Sequence, residues 1–148
     1  MEEIEILFKK VHDFAKLPVK ANAEPATGDS GYDIFSVEEV FVPARGAAVI
    51  PVGLRLAYIT PGYWFRIEPK SGLGFKYGLQ PHLGIIDNQY RGDMGIKVYN
   101  FSDIGYTYNI GDKVAQFVVY KLLNSKVDWS DKIYETNRGS QGFGSTGR

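Results

Sequence analysis

The stretch AAVIPVGLRLAYITPGYWFRIEP, residues 47–69, decides the fold class. Short runs rich in Val, Ile, Leu, Tyr and Phe are cut by Pro51-Val52-Gly53 and again by Pro61-Gly62, a strong turn dipeptide. This predicts two strands within residues 47–59 and a third over residues 63–69. Working outward, the same texture recurs in IEILF (residues 4–8), YDIFSVEEVFV (32–42, two short strands), MGIKVYNFS (94–102) and YTYNIGDKVAQFVVYKLL (106–123). Only SGLGFKYG (71–78) reads as helical, and for no more than a turn or two. Many short strands at close spacing predict an all-β sandwich, jelly roll or small barrel with one short helix. Residues 1–136 read as one β domain. Residues 137–148, NRGSQGFGSTGR, read as a flexible tail whose one apolar side chain is Phe143.

Composition narrows the function. The 148 residues carry 17 Lys and Arg against 17 Asp and Glu, so the formal net charge is zero. That argues against wholesale binding of nucleic acid, which needs a basic excess, but leaves room for a local anion site. The absence of cysteine rules out disulfides and thiolate zinc sites, and two histidines, His12 and His82, make a His-rich metal site improbable. No apolar run approaches the roughly 20 residues of a membrane-spanning helix. MEEIEILFKK has no signal-peptide core, so a cytoplasmic location is expected.

Five stretches are denser in Gly, Asp, Ser and Arg than strand turns require. In ATGDSGYDIFS, Asp33 sits in an apolar context, either as a turn acid or as a carboxylate near a metal or its waters. In EPKSGLGFKYG, Ser71 and Gly72 open the helical turn beside Lys70, either as a plain N-cap or as a phosphate site. In LGIIDNQYRGDMG, residues 88–92 look like a hairpin with Asp87 and Tyr90 at its base, either as an Asx-turn acid and a packing Tyr or as a pocket where a carboxylate can act as general base on water. In IGDKVAQFVVY, Gln116 stands in an apolar strand and must find hydrogen-bond partners there. The tail adds Arg138, Ser145 and Thr146, a cation and two hydroxyls suited to polyphosphate.

In their order and spacing, SGYDIFS, PKSGLG, GIIDNQYRG, GDKVAQ and RGSQGFGSTG resemble the five motifs of the trimeric dUTP diphosphatases, or dUTPases, over residues 15–146. The resemblance implies a jelly-roll-like β-clip fold and a homotrimer whose three active sites are each assembled from three subunits. It implies hydrolysis of dUTP to dUMP and pyrophosphate with Mg²⁺, which keeps uracil out of DNA and supplies dUMP for thymidylate synthesis. Asp87 is implied to activate the water attacking the α-phosphorus, and Tyr90 to pack on the deoxyribose and reject a 2′-hydroxyl. Residues 83–91, with Leu83, Gly84, Ile85 and Ile86, are implied to read uracil through backbone groups. Lys70, Ser71, Gly72 and Gln116 are implied to hold phosphates, Asp33 to hold the metal through water, and Arg138, Gly144, Ser145 and Thr146 to bind the terminal phosphates. Phe143 is implied to stack on uracil as the tail closes.

Three positions depart from the family pattern. Lys70 stands where Arg is usual, Gln89 where a second Asp is usual, and Pro81 where some members place Asn, with His82 beside it. Lys keeps the charge but loses the bidentate fork. Three other readings stay open on the sequence: a dCTP deaminase of the same superfamily, a nucleotide-gated interaction module, and a catalytically dead homologue.

Overall fold

The computed structural model describes residues 2–141. The chain is nearly all β with one short helix. Its elements are β1 (Ile6–Lys10), β2 (Gly31–Phe35), β3 (Val40–Val42), β4 (Ala47–Ile50), β5 (Leu54–Ile59), β6 (Tyr63–Glu68), α1 (Ser71–Tyr77), β7 (Leu79–Pro81), β8 (Gly84–Ile86), β9 (Ile96–Asn100), β10 (Tyr106–Tyr108) and β11 (Lys113–Lys121). They form sheets of order β2-β11-β6-β8, β4-β9-β7, β1-β5 and β10-β3, and every strand pair is antiparallel. The strands expected over residues 47–69 are β4, β5 and β6. Their first break falls at Gly53, which takes φ 66°, where an added Cβ would meet the side chains of His12 and Ala15. The strand expected at residues 4–8 lies two residues later, at β1.

β11 organises the core because it pairs on both edges, with β2 and with β6. Phe117 lies in register between Tyr32 and Ile67, and its ring meets Phe65 at 4.4 Å and stacks on Tyr32 at 4.9 Å. Ile34, Ile50, Leu56, Val98, Tyr108 and Val114 complete a buried apolar interior. The Tyr108 hydroxyl is buried without a hydrogen-bond partner among the described residues, and burial, followed by the nearby Tyr106 and Asp112, pushes it well above the ordinary tyrosine range.

One buried polar side chain ties two of the sheets together. Asn100, at the end of β9, donates to the carbonyls of Ile104 at 2.9 Å and Val42 at 3.3 Å, and accepts from the Ser102 amide and hydroxyl. Asn100 is itself 1% exposed, and Asn100→Ala removes four hydrogen bonds at once, one of them to the buried Val42 carbonyl, so we expect a loss of about 2–4 kcal/mol of unfolding free energy, read as a lower urea midpoint at constant m-value. An unchanged midpoint would show that the loop of residues 101–105 satisfies itself.

Residues 122–141 leave β11 with one backbone bond, Leu122 N–H to the Gly62 carbonyl, and form no further strand or helix. All of them are exposed, including Leu123, Val127, Trp129, Ile133 and Tyr134; Trp129 is 98% exposed. Among the described residues, no helix is long and apolar enough to cross a membrane.

Candidate functional site

The chemistry-bearing residues fall into two clusters. The first surrounds the β6–α1 junction. Asp33 on β2, Gln116 on β11 and Glu68 on β6 stand opposite one another in register. Asp33 is only 4% exposed, and burying a carboxylate is costly unless it is paired. Its two oxygens face two ammonium groups, Lys70 Nζ at 2.7 Å and Lys113 Nζ at 3.4 Å. Gln116 lies across Gly31, whose missing Cβ leaves room for it, and donates from Nε2 to the Pro69 carbonyl at 2.8 Å. A half-buried Gln in an apolar strand thereby braces the turn that carries Lys70 and Ser71.

Ser71 is the first residue of α1, and Lys70 occupies the N-cap with no side-chain cap bond, so the plain N-cap reading of Ser71 does not hold. Ser71 Oγ makes no hydrogen bond among the described residues and is exposed. A Cβ on Gly72 would meet nothing within 4 Å, so nothing inside the chain demands glycine there. α1 ends at Gly78, which takes φ 68° and donates back to the Gly74 carbonyl at 3.1 Å. A cleft of about 390 Å³ lies along this helix, lined by Lys70, Gly72, Leu73, Lys76, Tyr77, Tyr106, Asp112 and Lys113.

The second cluster is the Asp87–Tyr90 turn. The compact hairpin expected at residues 88–92 is a turn instead, closed by Tyr90 N–H to the Asp87 carbonyl at 3.0 Å. The paired arms are β7 and β9, while β8 departs to pair with β6. That divergence opens a cavity of about 190 Å³, lined by Ile67, His82, Gly84, Ile86, Tyr90 and residues 93–97. Leu83 and Ile85 are exposed beside it. Tyr90 is 42% exposed, and its hydroxyl donates to the Asp93 carbonyl at 2.7 Å. Asp87 is exposed and forms no ion pair among the described residues.

Sequence reasoning missed what holds this turn. Asn88 donates from Nδ2 to the carbonyls of Tyr63 at 2.9 Å and Thr60 at 3.1 Å, pinning the turn to the β5–β6 connection. Arg91 donates to the Asn88 and Tyr90 carbonyls, and Arg55 Nε donates to the Arg91 carbonyl at 2.7 Å. The signal was an Asn and an Arg flanking Asp87 and Tyr90, residue types suited to capping carbonyls. His82, beside the cavity, bonds through Nδ1 to the Tyr99 hydroxyl at 3.1 Å.

The structure therefore gathers Asp33, Lys70, Ser71, Gly72 and Gln116 in one place, and Gly84, Ile86, Asp87 and Tyr90 in another. The two cavities share no lining residue. Arg138 belongs to neither; its Nε donates to the Gln141 carbonyl at 2.7 Å and its carbonyl accepts from the Gln141 amide at 3.4 Å. Phe143, Gly144, Ser145 and Thr146 lie outside the described residues.

Residues 18–147 match the dUTPase family model. The deoxyuridine 5'-triphosphate nucleotidohydrolase of Solanum lycopersicum is 41% identical over 139 residues, covering 94% of this chain and 79% of that protein. That of fowl adenovirus A is 36% identical over 147 residues, covering 99% of this chain and 80% of that one. Among solved structures, the dUTPase of Staphylococcus bacteriophage 80alpha with dUpNHpp superposes with a TM-score of 0.83 at 24% identity, over 97% of this chain and 99% of that one. A phage phi11 dUTPase variant described for its structural Mg(II) ion superposes with a TM-score of 0.75 at 24% identity, over 88% and 99%.

Proposed function

The chain belongs to the dUTPase family, and from that premise we propose how its own residues carry out the hydrolysis of dUTP to dUMP and pyrophosphate. The observation that carries the proposal is the Asp87–Tyr90 turn, which sets a free carboxylate and a fixed aromatic ring beside a cavity edged by strand backbone. Uracil enters the cavity and is read by the backbone groups of residues 83–86, since a fixed backbone edge distinguishes a carbonyl from an amino group. The Tyr90 ring packs on the deoxyribose and leaves no space for a 2′-hydroxyl. Asp87 takes a proton from the water that attacks the α-phosphorus. The bond from that phosphorus to the bridging oxygen breaks, and its electron pair leaves with pyrophosphate.

Ser71, Gly72 and the Gln116-braced turn hold phosphate oxygens. The open space over Gly72 fits an approach by phosphate from outside the chain. Arg138, Gly144, Ser145 and Thr146 bind the terminal phosphates, and Phe143 covers the base, excluding water other than the nucleophile.

Mg²⁺ fits these residues in one way. No group of three or more His, Cys, Asp or Glu side chains lies together among the described residues, and both Asp33 oxygens face lysines. The donor set suits an ion that keeps its waters and arrives on the triphosphate, with Asp33 receiving a hydrogen bond from a water. When bound, it neutralises charge on the phosphates.

We further propose a homotrimer in which each site takes the Lys70 cluster from one copy and the Asp87 turn from another. Two disjoint half-sites in one chain support it, as does the uncovered apolar arm of residues 122–136. A cytoplasmic location and the supply of dUMP for thymidylate synthesis belong to the same proposal.

The test is pyrophosphate release from dUTP, UTP, dCTP and dTTP in parallel, with Mg²⁺ and then with EDTA. We expect pyrophosphate release from dUTP alone, ended by EDTA; release from none overturns the reading, and ammonia release from dCTP, measured beside it, redirects it to a deaminase. Tyr90→Ala should raise turnover of UTP relative to dUTP by about tenfold, the scale of a lost steric contact in a specificity pocket. An unchanged ratio removes Tyr90 from sugar selection.

A further inference from the structure

We propose that Gly92 is a positioning residue for sugar selection, the seat on which the Tyr90 ring rests in the pose that screens the 2′ position. The inference rests on the sugar-packing reading of Tyr90 and adds to it a residue from outside the cavity. Tyr90 and Asp93 line that cavity, and Gly92 between them does not. A Cβ added at Gly92 would nevertheless strike the Tyr90 hydroxyl and stand 2.6 Å from Cζ and 2.9 Å from Cε1 of the same ring. Real Cβ atoms do not come that close, so the ring lies directly over the Gly92 backbone. Backbone conformation makes no demand for glycine here, because Gly92 is not among the glycines of positive φ. The three atoms nearest to the added Cβ all belong to Tyr90, so the first obstacle to a side chain at 92 is the ring.

A latch completes the seat. The Tyr90 hydroxyl donates to the Asp93 carbonyl at 2.7 Å, so the ring reaches across Gly92 and is tied down beyond it. That carbonyl belongs to a held segment. Asp93 forms an antiparallel bridge with Arg55 of β5, the Met94 amide donates to the Leu54 carbonyl at 3.2 Å, and Asp93 Oδ1 accepts from the Gly95 amide at 3.1 Å. Arg55 Nε also fixes the residue before Gly92, through the Arg91 carbonyl at 2.7 Å. Tyr90 itself is exposed, so core packing does not hold its ring; the seat and the latch do. A steric filter discriminates only as sharply as its wall is fixed, and a ring that swings away admits the hydroxyl it excludes. An alanine at 92 lifts the ring and breaks the latch. It costs the fold little, because what moves is the outer end of an exposed side chain.

The test is a double-mutant cycle on the full chain, read as the ratio of kcat/KM for UTP to that for dUTP. Gly92→Ala should raise the ratio by about tenfold, the scale expected for Tyr90→Ala. In the Tyr90→Ala background the same change should add less than about twofold, because the group it displaces is gone. The melting temperature of Gly92→Ala should match that of the unaltered chain. Equal effects of Gly92→Ala in both backgrounds overturn the proposal, since the glycine then acts on something other than the ring. An unchanged ratio in Gly92→Ala beside a raised one in Tyr90→Ala overturns it too, and leaves the reading of Tyr90 standing. An unchanged ratio in Tyr90→Ala removes that reading, and the seat with it. Should Gly92→Ala fail to fold, recovery of folding by the added Tyr90→Ala supports the ring as the obstacle, and no recovery overturns it.

Discussion

Asp87→Asn lowers the turnover of dUTP by about 10²–10⁴-fold, the range a positioned general base contributes, and leaves dUTP binding nearly intact. Asn has the same shape and keeps one acceptor oxygen but cannot take a proton at neutral pH. The fold is insulated from the change because Asp87 is exposed and its structural role is played by its backbone carbonyl, which accepts from Tyr90. Asn88 and Arg91 hold the turn whichever residue stands at 87. Single-turnover hydrolysis and calorimetric titration with a non-hydrolysable analogue, measured on the same preparation, separate the two effects. Undiminished turnover assigns the proton to another group. Loss of binding and turnover together means that Asp87 positions substrate rather than activating water.

Trp129→Ala disrupts assembly. A Trp buries about 150–250 Å² when it docks, worth roughly 4–6 kcal/mol at about 25 cal/mol per Å². The isolated chain leaves it 98% exposed, with Val127 and Ile133 nearby at 94% each. In the proposed homotrimer this arm docks on another copy of the chain. Losing even 4 kcal/mol per arm weakens association by about 10³-fold, and light scattering at micromolar concentration should show the species shift from trimer towards monomer. Activity should fall in parallel. A variant that stays fully assembled places the arm's anchor elsewhere along residues 122–136.

Local chemistry was legible in the sequence, and partner choice was not. Proline and glycine at residues 51–53 and 61–62 punctuated the strands correctly because turn preferences are properties of a few adjacent residues. The helix over residues 71–77 was legible for the same reason. The pairing of β8 with β6, rather than with the strand after it, depends on contacts across the whole sheet and left no local mark. It changed a compact hairpin into an open cavity. Gln116 was legible as an anomaly, a polar residue in an apolar run, though its partner, the Pro69 carbonyl, was not. Nothing in the neighbourhood of Lys113 announces the carboxylate, buried on β2, that it faces.

The two cavities with no lining residue in common have a genetic consequence. In the proposed homotrimer, a gene copy broken at Asp87 and another broken at the Lys70–Ser71 turn are expected to encode proteins that are each inactive alone, with lesions that rescue one another when the chains are made in the same cell. In mixed trimers formed at random from equal amounts, about a quarter of the sites pair an intact turn with an intact phosphate loop. Intragenic complementation of that size marks lesions in different half-sites, and its absence marks lesions in the same one.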